Sequence, residues 1–327
     1  MNNILKEFNN RKNLNILCTI NHERYQTYLS YVPDTHYYMW DSSDLRRKWH
    51  NEFAPIPSNY TLIKDLTPDI IDEIDIILSQ NKFGDWQLLS QVANNHQIPM
   101  IQLEHTTPDS SFTEGKLSYL HKMQGHKNIF ITDYSANEWG FYENYQTVNH
   151  MIDCDMFDMK FSQQKEKTVL SVCNDLKDRD YVCGYSIWEK IAREINCRLV
   201  GTCNHGIGKP AKSTKDLVET YQNHLIFLNT STFSPLPCAV LEAMSCGLVV
   251  VSTATCEIPN VINHCDNGFL YHPDKPEDAI EIINMLLSSK PEKLVEIGQR
   301  ARRTVEEKFS KKQFVKNWNN IYNDFKC

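Results

Sequence analysis

The segment "SPLPCAVLEAMSCG" at residues 234–247 contains one carboxylate, Glu242, among small and apolar side chains. Ser234 is a suitable N-cap, Pro235 fits the first helical position and Gly247 fits just past the end, so this segment is predicted to be a helix. Burying a carboxylate without partners costs free energy. Glu242 therefore either faces solvent or a nearby backbone group, or it accepts hydrogen bonds from ligand hydroxyls. A carboxylate can take two such bonds from a vicinal diol, and we expect this second role.

Two basic stretches combine cations with aromatic or imidazole rings. The first, "DLRRKWH" at 44–50, brings Arg46 and Arg47 close to Trp49, and the second is "HKMQGHK" at 121–127. Such stretches are typical of a solvated surface. They also suit a groove for a polyanion, in which cations meet phosphates and aromatic rings stack on bases. Both interpretations stay open from the sequence.

Glycine-rich phosphate loops are missing from the sequence. No G-x-G-x-x-G follows a predicted strand, and no G-x-x-x-x-G-K-[ST] occurs. The nearest stretch is "VGTCNHGIGKP" at 200–210, whose glycines also suit an ordinary turn between a strand and a helix. The sequence therefore disfavours a dinucleotide-binding dehydrogenase and a P-loop enzyme.

Short apolar runs alternate with helical patterns along the chain. Strands are predicted in the first half at "LNILCTI", "HYYMW", "DIILSQ", "IPMIQLEH", "NIFIT" and "VNHMI", and in the second half at "TVLSVCN", "CRLVGT", "LIFLNTS", "LVVVST" and "GFLYH". Helices are predicted between them, as in "DWQLLSQVANNH", "EGKLSYLHKM" and "GYSIWEKIAREI". This alternation indicates an α/β protein with parallel sheets whose faces are covered by helices. Ligands of such sheets bind at the carboxyl ends of the strands.

The length of 327 residues suits two domains. A polar stretch without periodicity, "MKFSQQKEK" at 159–167, is predicted to be the linker between them. We therefore expect two Rossmann-like domains, at 1–158 and 168–310, with parallel sheets that face each other across a cleft. The remaining residues, 311–327, are predicted to form a C-terminal helix.

Composition and charge exclude several classes of protein. The net charge is −7, and the first 150 residues hold 18 acidic and 12 basic side chains, which is unlike a general nucleic-acid binder. The eleven cysteines include no C-x-x-C pair, which argues against a disulfide framework and structural zinc. Because we find no signal peptide and no apolar run of about 18 residues, we expect a cytoplasmic protein without stable membrane insertion.

The stretch "SPLPCAVLEAMSCGLVVVSTATCEIPNVI", followed by "DNGFLYHPDKPEDAIEIINMLL", resembles the donor-binding half of GT-B glycosyltransferases of the glycosyltransferase family 4 type. The resemblance is specific over about 225–290. In the first half it rests on the order of strands and helices and on "IPMIQLEHT". It implies a GT-B fold of two Rossmann-like domains, with the final helix crossing back onto the first domain. Phe314, Trp318 and Phe325 lie on an amphipathic pattern that suits this packing.

The resemblance also implies roles in donor binding. Glu242 corresponds to the family's second Glu, which holds ribose hydroxyls, whereas the family's first Glu corresponds to Ser234, which has no charge. Thr230, Ser231, Asn229 and the backbone around Leu236 to Ala239 are expected to line the phosphate and sugar pocket. The family binds the diphosphate with an Arg and a Lys after the first strand of its second domain. Only Lys177 and Arg179, in "NDLKDRD", are available there, and we favour Arg179.

In the first domain, the family often directs a His at the transferred sugar, and His105 in "LEHT" occupies that place. "NHER" at 21–24 replaces the family's Gly-rich acceptor loop, so His22 and Arg24 are expected to bind acceptor or donor phosphate. Glu104 is either a base or only an exposed neighbour. His105 and Arg179 are thus the predicted catalytic residues.

The implied reaction is transfer of a sugar from a nucleotide diphosphate sugar with retention at the anomeric carbon. No cofactor and no metal are expected, and the nucleotide sugar is the co-substrate. The acceptor stays open between a glycan or small molecule and DNA. One alternative is a phage-type glycosyltransferase that modifies hydroxymethylated pyrimidines in DNA, for which Arg46, Arg47 and Trp49 would contact the acceptor. Another is an inactive GT-B protein that binds a nucleotide sugar or glycan without turnover.

Overall fold

The computed structural model describes residues 13–45, 47–51, 53–160, 168–204 and 206–326. These residues belong to two compact units: Met1–Asn149 together with Lys312–Cys327, and His150–Lys311. Of the predicted linker at 159–167, residues 161–167 lie outside the described residues, so a linker at this place stays a prediction.

The first unit is built on a parallel sheet with the order β3-β2-β1-β4-β5-β6-β7. Its central strands are buried apolar segments covered by helices on the sheet faces, as the alternation of strands and helices predicted. The strands are β1 (Leu14–Thr19), β2 (Thr35–Trp40), β3 (Tyr60–Ile63), β4 (Ile76–Ser79), β5 (Met100–Glu104), β6 (Lys127–Phe130) and β7 (Gln146–Thr147). The helices are α1 (Glu23–Leu29), α2 (Pro68–Ile71), α3 (Asp85–His96), α4 (Glu114–His121) and α5 (Asp133–Glu138).

The second unit has its own parallel sheet, with the order β10-β9-β8-β11-β12-β13. Its strands are β8 (Val169–Val172), β9 (Cys197–Val200), β10 (Gly208–Lys209), β11 (Ile226–Asn229), β12 (Val249–Thr253) and β13 (Phe269–Tyr271). The helices that follow α5 are α6 (Asp180–Cys183), α7 (Tyr185–Ala192), α8 (Thr214–Gln222), α9 (Cys238–Ser245), α10 (Ile258–Val261), α11 (Pro276–Leu287), α12 (Pro291–Lys308) and α13 (Lys311–Asn323).

Both faces of the second sheet are packed. Phe227 and Val250 point into a core formed with α8, α9 and the end of α12. Their neighbours Ile226 and Val251 point into the opposite core, against α7, α11 and the start of α12. This alternation along each strand is expected when helices cover both faces of a parallel sheet.

The last helix, α13, packs its apolar face within the first unit. Phe314 and Trp318 are buried there, and the Trp318 indole Nε1 donates a hydrogen bond of 3.0 Å to the hydroxyl of Tyr25 in α1. The third residue of the predicted pattern, Phe325, lies beyond the end of α13, where its ring faces the Lys127 ammonium at 6.0 Å.

One predicted strand is wrong. "VNHMI" at 148–152 is not a strand, although Val148, Met151 and Ile152 are buried. Val148 N–H still bonds to Phe130 O at the end of the first sheet, and the chain then leaves the sheet. The apolar run at 148–152 is therefore a buried segment without regular secondary structure.

Candidate functional site

A pocket lies in the second unit at the carboxyl ends of β8 and β11, which are neighbours in the sheet. From β8 the chain continues to β9 on one side, and it later returns to β11 on the other side, so the order of strands reverses here. Ligands of parallel sheets bind at such a switch point. The pocket has a volume of about 140 Å³ and is lined by Ser171, Val172, Cys173, Leu176, Arg179, Val182, Cys183, Trp188, Leu228, Asn229, Thr230, Ser231, Ser234 and Pro237.

Arg179 is the one cation among the described residues that line this pocket. It lies at the N-cap of α6, and its N–H bonds to Asp175 O at 2.9 Å. The loop before it is braced by Asn204, whose side chain accepts from Leu176 N–H at 3.0 Å and donates to Cys173 O at 2.8 Å. These bonds fix the backbone of the loop that places Arg179 at the pocket wall.

Lys177, the other cation predicted for this loop, lies elsewhere. Its Nζ is 5.6 Å from the ring centroid of Tyr185 in α7, and Lys177 is not among the described lining residues. The structure thus brings Arg179 to the pocket and separates Lys177 from it.

The opposite wall is polar and follows β11. Asn229 Nδ2 donates to the hydroxyls of Ser231 and Ser252, at 3.0 and 2.9 Å. Thr230 Oγ1 donates to Cys183 O at 2.9 Å, which ties this wall to the end of α6. The predicted residues Thr230, Ser231 and Asn229 therefore meet Arg179 in one pocket.

The predicted cap of α9 is wrong. The helix begins at Cys238 with Pro237 as its N-cap, three residues later than the Ser234 cap would place it. Pro237 disfavours a helical conformation at Leu236, which delays the start of the helix. Ser234 lines the pocket instead.

Leu236 and Ala239 were predicted to line the pocket through their backbone. Leu236 is buried in the core below α9, and Ala239 packs against the same core. Neither is among the described lining residues, and the residue between them that reaches the pocket is Pro237.

Glu242 lies inside α9, as predicted, and is only 2% exposed. Tyr221 in α8 donates a hydrogen bond from its hydroxyl to Glu242 Oε2 at 3.0 Å. Its helical neighbours Leu241 and Ala243 are fully buried, and Glu242 is not among the residues described as lining the pocket. A role of Glu242 in ribose binding stays a prediction.

Replacing Tyr221 with Phe should lower the free energy of unfolding by about 2 kcal/mol, because a buried carboxylate loses a hydrogen bond. Urea unfolding of the variant measures this. Tyr181→Phe is the matched control, since Tyr181 is 47% exposed, and should change stability by less than about 0.5 kcal/mol. Equal stability of Tyr221→Phe and wild type would show that the hydrogen bond does not hold Glu242 in place.

In the first unit, the structure brings His22 and His105 together. They follow β1 and β5, and their ring centroids are 5.4 Å apart. The ring of Tyr25 meets His105 edge-on at 4.7 Å, and Tyr25 is in turn held by Trp318 of α13. This arrangement shows that the rings of His22 and His105 lie next to each other. The catalytic role of His105 stays a prediction.

His22 is the N-cap of α1, since its Nδ1 accepts from Tyr25 N–H at 3.3 Å. Burial lowers the pKa of His22 to about 4, and the nearby charge of Arg24 adds to this effect. The imidazole is therefore neutral at pH 7, so it can offer a phosphate a hydrogen bond but no positive charge.

A pH dependence of stability follows from His22. The pKa of His22 falls from 6.5 in the unfolded chain to about 4 in the fold. The neutral His22 therefore contributes fully to the free energy of unfolding above pH 6.5, and this contribution is lost as the pH falls towards 4. His22→Asn keeps an N-cap that cannot titrate. Between pH 7 and pH 4, wild type should lose about 3 kcal/mol more stability than the variant. Urea titrations across this range measure the difference, and parallel curves would contradict it.

The first basic stretch has internal partners in the structure. Arg47 Nη1 forms a salt bridge of 2.7 Å with Asp85 Oδ1, and Asp85 is fully buried. Trp49 Nε1 donates to Ala54 O at 2.6 Å. Arg46 lies outside the described residues, and Arg24 is partly exposed near His22.

The second basic stretch is also used internally. Lys127 pairs with Asp324, His121 Nδ1 lies 3.1 Å from Trp139 O, and His126 Nδ1 accepts from Met100 N–H at 3.0 Å. These contacts favour a structural role over a groove for a polyanion.

Glu104 is fully buried rather than exposed. Its carboxylate accepts from Lys82 N–H at 3.2 Å, and from the N–H and hydroxyl of Thr106 at 3.1 and 2.8 Å. Burial raises its pKa, while these bonds and the Lys82 charge oppose the rise. Glu104 therefore links the backbone just after His105 to the segment that follows β4.

The sequence did not single out Lys82, which is also fully buried. Its Nζ donates to Met123 O at 2.6 Å and lies about 5.5 Å from the ring of Phe141. Burial lowers its pKa to about 8, with Glu104 opposing this change. Its position after β4 was the only available signal, and a lone Lys after a strand is usually exposed.

Within the described ranges, no group of three or more His, Cys, Asp or Glu side chains is placed to hold a metal ion. Among the same residues, no helix is long and apolar enough to cross a membrane.

Comparison with known proteins links the second unit to one family. Residues 204–304 match the family model for glycosyl transferases group 1. A Haemophilus influenzae protein called an uncharacterized glycosyltransferase is 23% identical over 290 residues, which cover 80% of this chain and 78% of that protein. The N-acetyl-alpha-D-glucosaminyl L-malate synthase of Bacillus anthracis is 38% identical over 87 residues, which cover 26% of this chain and 22% of the synthase.

Solved structures resemble almost the whole chain. Anabaena HepE in complex with UDP-glucose has a TM-score of 0.74 at 14% identity, covering 95% of this chain and 100% of HepE. Sucrose-phosphate synthase from Thermosynechococcus elongatus has a TM-score of 0.73 at 10% identity, covering 95% of this chain and 99% of the synthase. The resemblance predicted from the sequence is confirmed. The chain has the GT-B fold of two Rossmann-like domains, and its residues 204–304 match the family model for glycosyl transferases group 1.

Proposed function

We propose that this protein transfers a sugar from a nucleotide diphosphate sugar to an acceptor hydroxyl, with retention and without a catalytic metal. The observation that carries the proposal is Arg179, which lines a pocket at the carboxyl ends of β8 and β11. This pocket lies in the unit that contains residues 204–304, the segment that matches the group 1 family.

Arg179 supplies what the reaction needs most. When the bond between the anomeric carbon and the phosphate oxygen breaks, negative charge builds up on the departing diphosphate. A guanidinium can bind two phosphate oxygens at once and stabilise this charge. Ser231 and Ser234 add hydroxyls on the facing wall. The pocket, at about 140 Å³, is smaller than the roughly 300–1,000 Å³ of a site for a whole drug-sized ligand, so we assign it to the diphosphate end.

Metal independence is proposed from the chemistry of the lining, and retention from the resemblance to the glycosyltransferase family 4 type. The described residues of the pocket wall include no Asp or Glu that would hold a divalent cation beside the diphosphate, and Arg179 supplies a positive charge there. Positioning of the acceptor and stabilisation of the leaving diphosphate then account for most of the rate. Attack from the face of the leaving group preserves the anomeric configuration.

We propose a UDP-sugar as the first donor to test, because the similar structure of HepE was solved with UDP-glucose. The acceptor is proposed to be a hydroxyl of a glycan or small molecule. We do not adopt DNA as the acceptor, since Arg47 and Trp49 of the first basic stretch have internal partners.

A thermal-shift screen with UDP, GDP, ADP and CDP tests donor binding. A nucleotide present at 100 times its dissociation constant adds about 2.7 kcal/mol to the free energy of unfolding, which raises the melting temperature. We expect one nucleotide, UDP first, to raise it. No shift with any of the four would contradict the proposal.

Turnover is tested with the matching nucleotide sugars and a panel of sugar acceptors. We expect release of the nucleoside diphosphate, an unchanged anomeric configuration by proton NMR, and equal rates with EDTA and with added Mg²⁺. An inverted product or a rate abolished by EDTA would contradict the proposed mechanism. Binding without turnover of any donor would instead support an inactive binding protein.

A further inference from the structure

An aromatic ring is exposed in the loop that follows β4 in the first unit. Phe83 lies four residues after Ser79, the last residue of β4, and is 44% exposed. From β1 the chain continues to β2 on one side, and it later returns to β4 on the other side, so the order of strands reverses between β1 and β4. Ligands of parallel sheets bind at the carboxyl ends of the strands at such a switch point. Phe83 therefore lies at the edge where the first sheet is expected to bind a ligand.

Two further rings pack against Phe83, and we call the three residues the Phe83 cluster. The Phe83 centroid is 6.0 Å from that of Phe112, in the loop after β5, and 6.3 Å from that of Trp139, which follows α5. Trp139 is buried, and the Lys116 ammonium lies 3.5 Å from the centroid of Phe112. Phe83 is the most exposed of the three rings, so it is the one that offers a face to a ligand.

The backbone beneath the exposed ring is held in place. Phe83 N–H donates to Asn81 Oδ1 at 2.7 Å. The preceding residue, Lys82, is fully buried, and its N–H donates to Glu104 Oε2 at 3.2 Å while its Nζ donates to Met123 O at 2.6 Å. Two buried charged side chains thus anchor the loop. A ring on a fixed backbone loses little conformational entropy when it binds a ligand.

An exposed hydroxyl lies beside the cluster. Thr106 is exposed in the loop after β5, and its backbone O accepts from Trp139 Nε1 at 2.9 Å. The Thr106 hydroxyl donates to Glu104 Oε1 at 2.8 Å, so its oxygen is oriented to accept a hydrogen bond from a ligand. The residue before it is His105. The loops after β4 and β5 thus place an open aromatic face and a hydroxyl acceptor close together.

We propose that the Phe83 cluster binds a pyranose ring of the acceptor, so that the acceptor is a glycan or a glycoside. This inference rests on the proposed function. The C–H groups on one face of a pyranose carry a small positive charge, and they stack on the negative face of the Phe83 ring. A hydroxyl at the rim of the sugar donates to Thr106 Oγ1.

Charge and size favour a sugar over other ligands that stack on aromatic rings. The first 150 residues hold 18 acidic and 12 basic side chains, which disfavours a nucleic-acid strand. An acyl chain would need a larger contiguous apolar surface. The loop after β5 instead presents polar residues next to the cluster, such as Asp109 and Ser111, both of which are exposed. One open ring with a polar surround matches the surface of a single sugar.

Saturation-transfer NMR on the full-length protein tests the sugar site. The probes are methyl β-D-glucopyranoside, maltose and lactose, with the dinucleotide dTpdT for comparison. We expect wild type and Phe83→Tyr to saturate the C–H protons of one pyranose ring, and Phe83→Ala to lose at least about fivefold of this signal. Phe83→Leu should lose it too, because it keeps an apolar side chain but no ring. Tyr142→Ala is the control, since Tyr142 is 78% exposed in the same unit, and it should match wild type.

Three results of this measurement would overturn the proposal. They are no saturation of any of the three sugars by wild type, an equal signal from Phe83→Ala, and stronger saturation of dTpdT than of the sugars. Melting temperatures of the variants show that they are folded. Because Phe83 is exposed, Phe83→Leu should stay folded even if Phe83→Ala does not.

Kinetics separate this inference from the proposed function. In Phe83→Ala we expect the acceptor KM to rise at least about tenfold while kcat stays within about threefold, since stacking holds substrate and transition state alike. UDP affinity by calorimetry should stay within about twofold, because the Arg179 pocket lies in the second unit. An unchanged acceptor KM would overturn the role of Phe83. If wild type binds no nucleoside diphosphate, the proposed function fails, while sugar binding that depends on Phe83 still supports the sugar site.

Discussion

Replacing Arg179 with Ala should weaken binding of the nucleoside diphosphate by about 100-fold, because a phosphate loses a charge-assisted hydrogen-bonding partner. Arg179 lines the pocket of the second unit and is its one cation among the described lining residues. The release of nucleotide during turnover should fall at least as much, since the charge on the diphosphate grows as the bond to the sugar breaks. Calorimetric titration and a nucleotide-release assay measure the two effects.

Lys177→Ala is the matched control for this prediction. Lys177 lies two residues earlier in the same loop, but its ammonium faces the ring of Tyr185 and not the pocket. This variant should bind the nucleotide within about twofold of wild type. Arg179→Lys should give an intermediate affinity, because an ammonium keeps the charge but loses the planar fork of donors. Wild-type affinity of Arg179→Ala would remove Arg179 from the site.

Replacing Gly184 with Ala should lower the free energy of unfolding by about 3–5 kcal/mol. Gly184 joins α6 to α7 with a φ of +72°, and a Cβ there would lie 1.9 Å from Thr230 O. The Ala variant must therefore adopt a strained backbone and also push α6 away from the wall that follows β11. Urea unfolding at pH 7 measures the loss.

Gly206→Ala separates these two causes. Gly206 has a φ of +87°, but a Cβ at this residue would meet nothing within 4 Å, so only the backbone strain should count. A loss of about 1–2 kcal/mol is expected for this control. If Gly184→Ala were no less stable than Gly206→Ala, the close contact between Gly184 and Thr230 would not be what holds the pocket walls together.

Most of the central strands were predictable because each is an apolar run of about the length of a strand. The prediction was wrong at 148–152, where buried apolar residues lie outside the sheet. It also missed β3, β7 and β10. In β3, "YTLI", only the two end residues are buried, and β7 and β10 have two residues each, so none of the three contains an apolar run. An apolar run predicts which residues are buried. It predicts a strand wrongly where buried residues do not pair in a sheet.

The polar residues of the pocket were predictable to the extent that they follow strands. Arg179, Ser231 and Thr230 lie in loops at the carboxyl ends of β8 and β11, and the topology of the sheet brings those ends together. The start of α9 was not predicted, because Pro235 suits a first helical turn, while Pro237 two residues later shifts that turn.

The basic stretch around Arg47 shows what the sequence cannot supply. Its partner, Asp85, is 38 residues away and lies at the start of α3. No local pattern distinguishes a solvated Arg from one that neutralises a buried carboxylate, since the difference depends on tertiary contacts.

The central claim is that the diphosphate of the donor binds at the carboxyl ends of β8 and β11. A crystal structure of the protein with the nucleoside diphosphate that gives the largest thermal shift tests this claim most directly. We predict that the diphosphate lies in the pocket, within hydrogen-bonding distance of the Arg179 guanidinium and facing Ser231 and Ser234. Density for the nucleotide at any other place, with this pocket empty, would contradict the account.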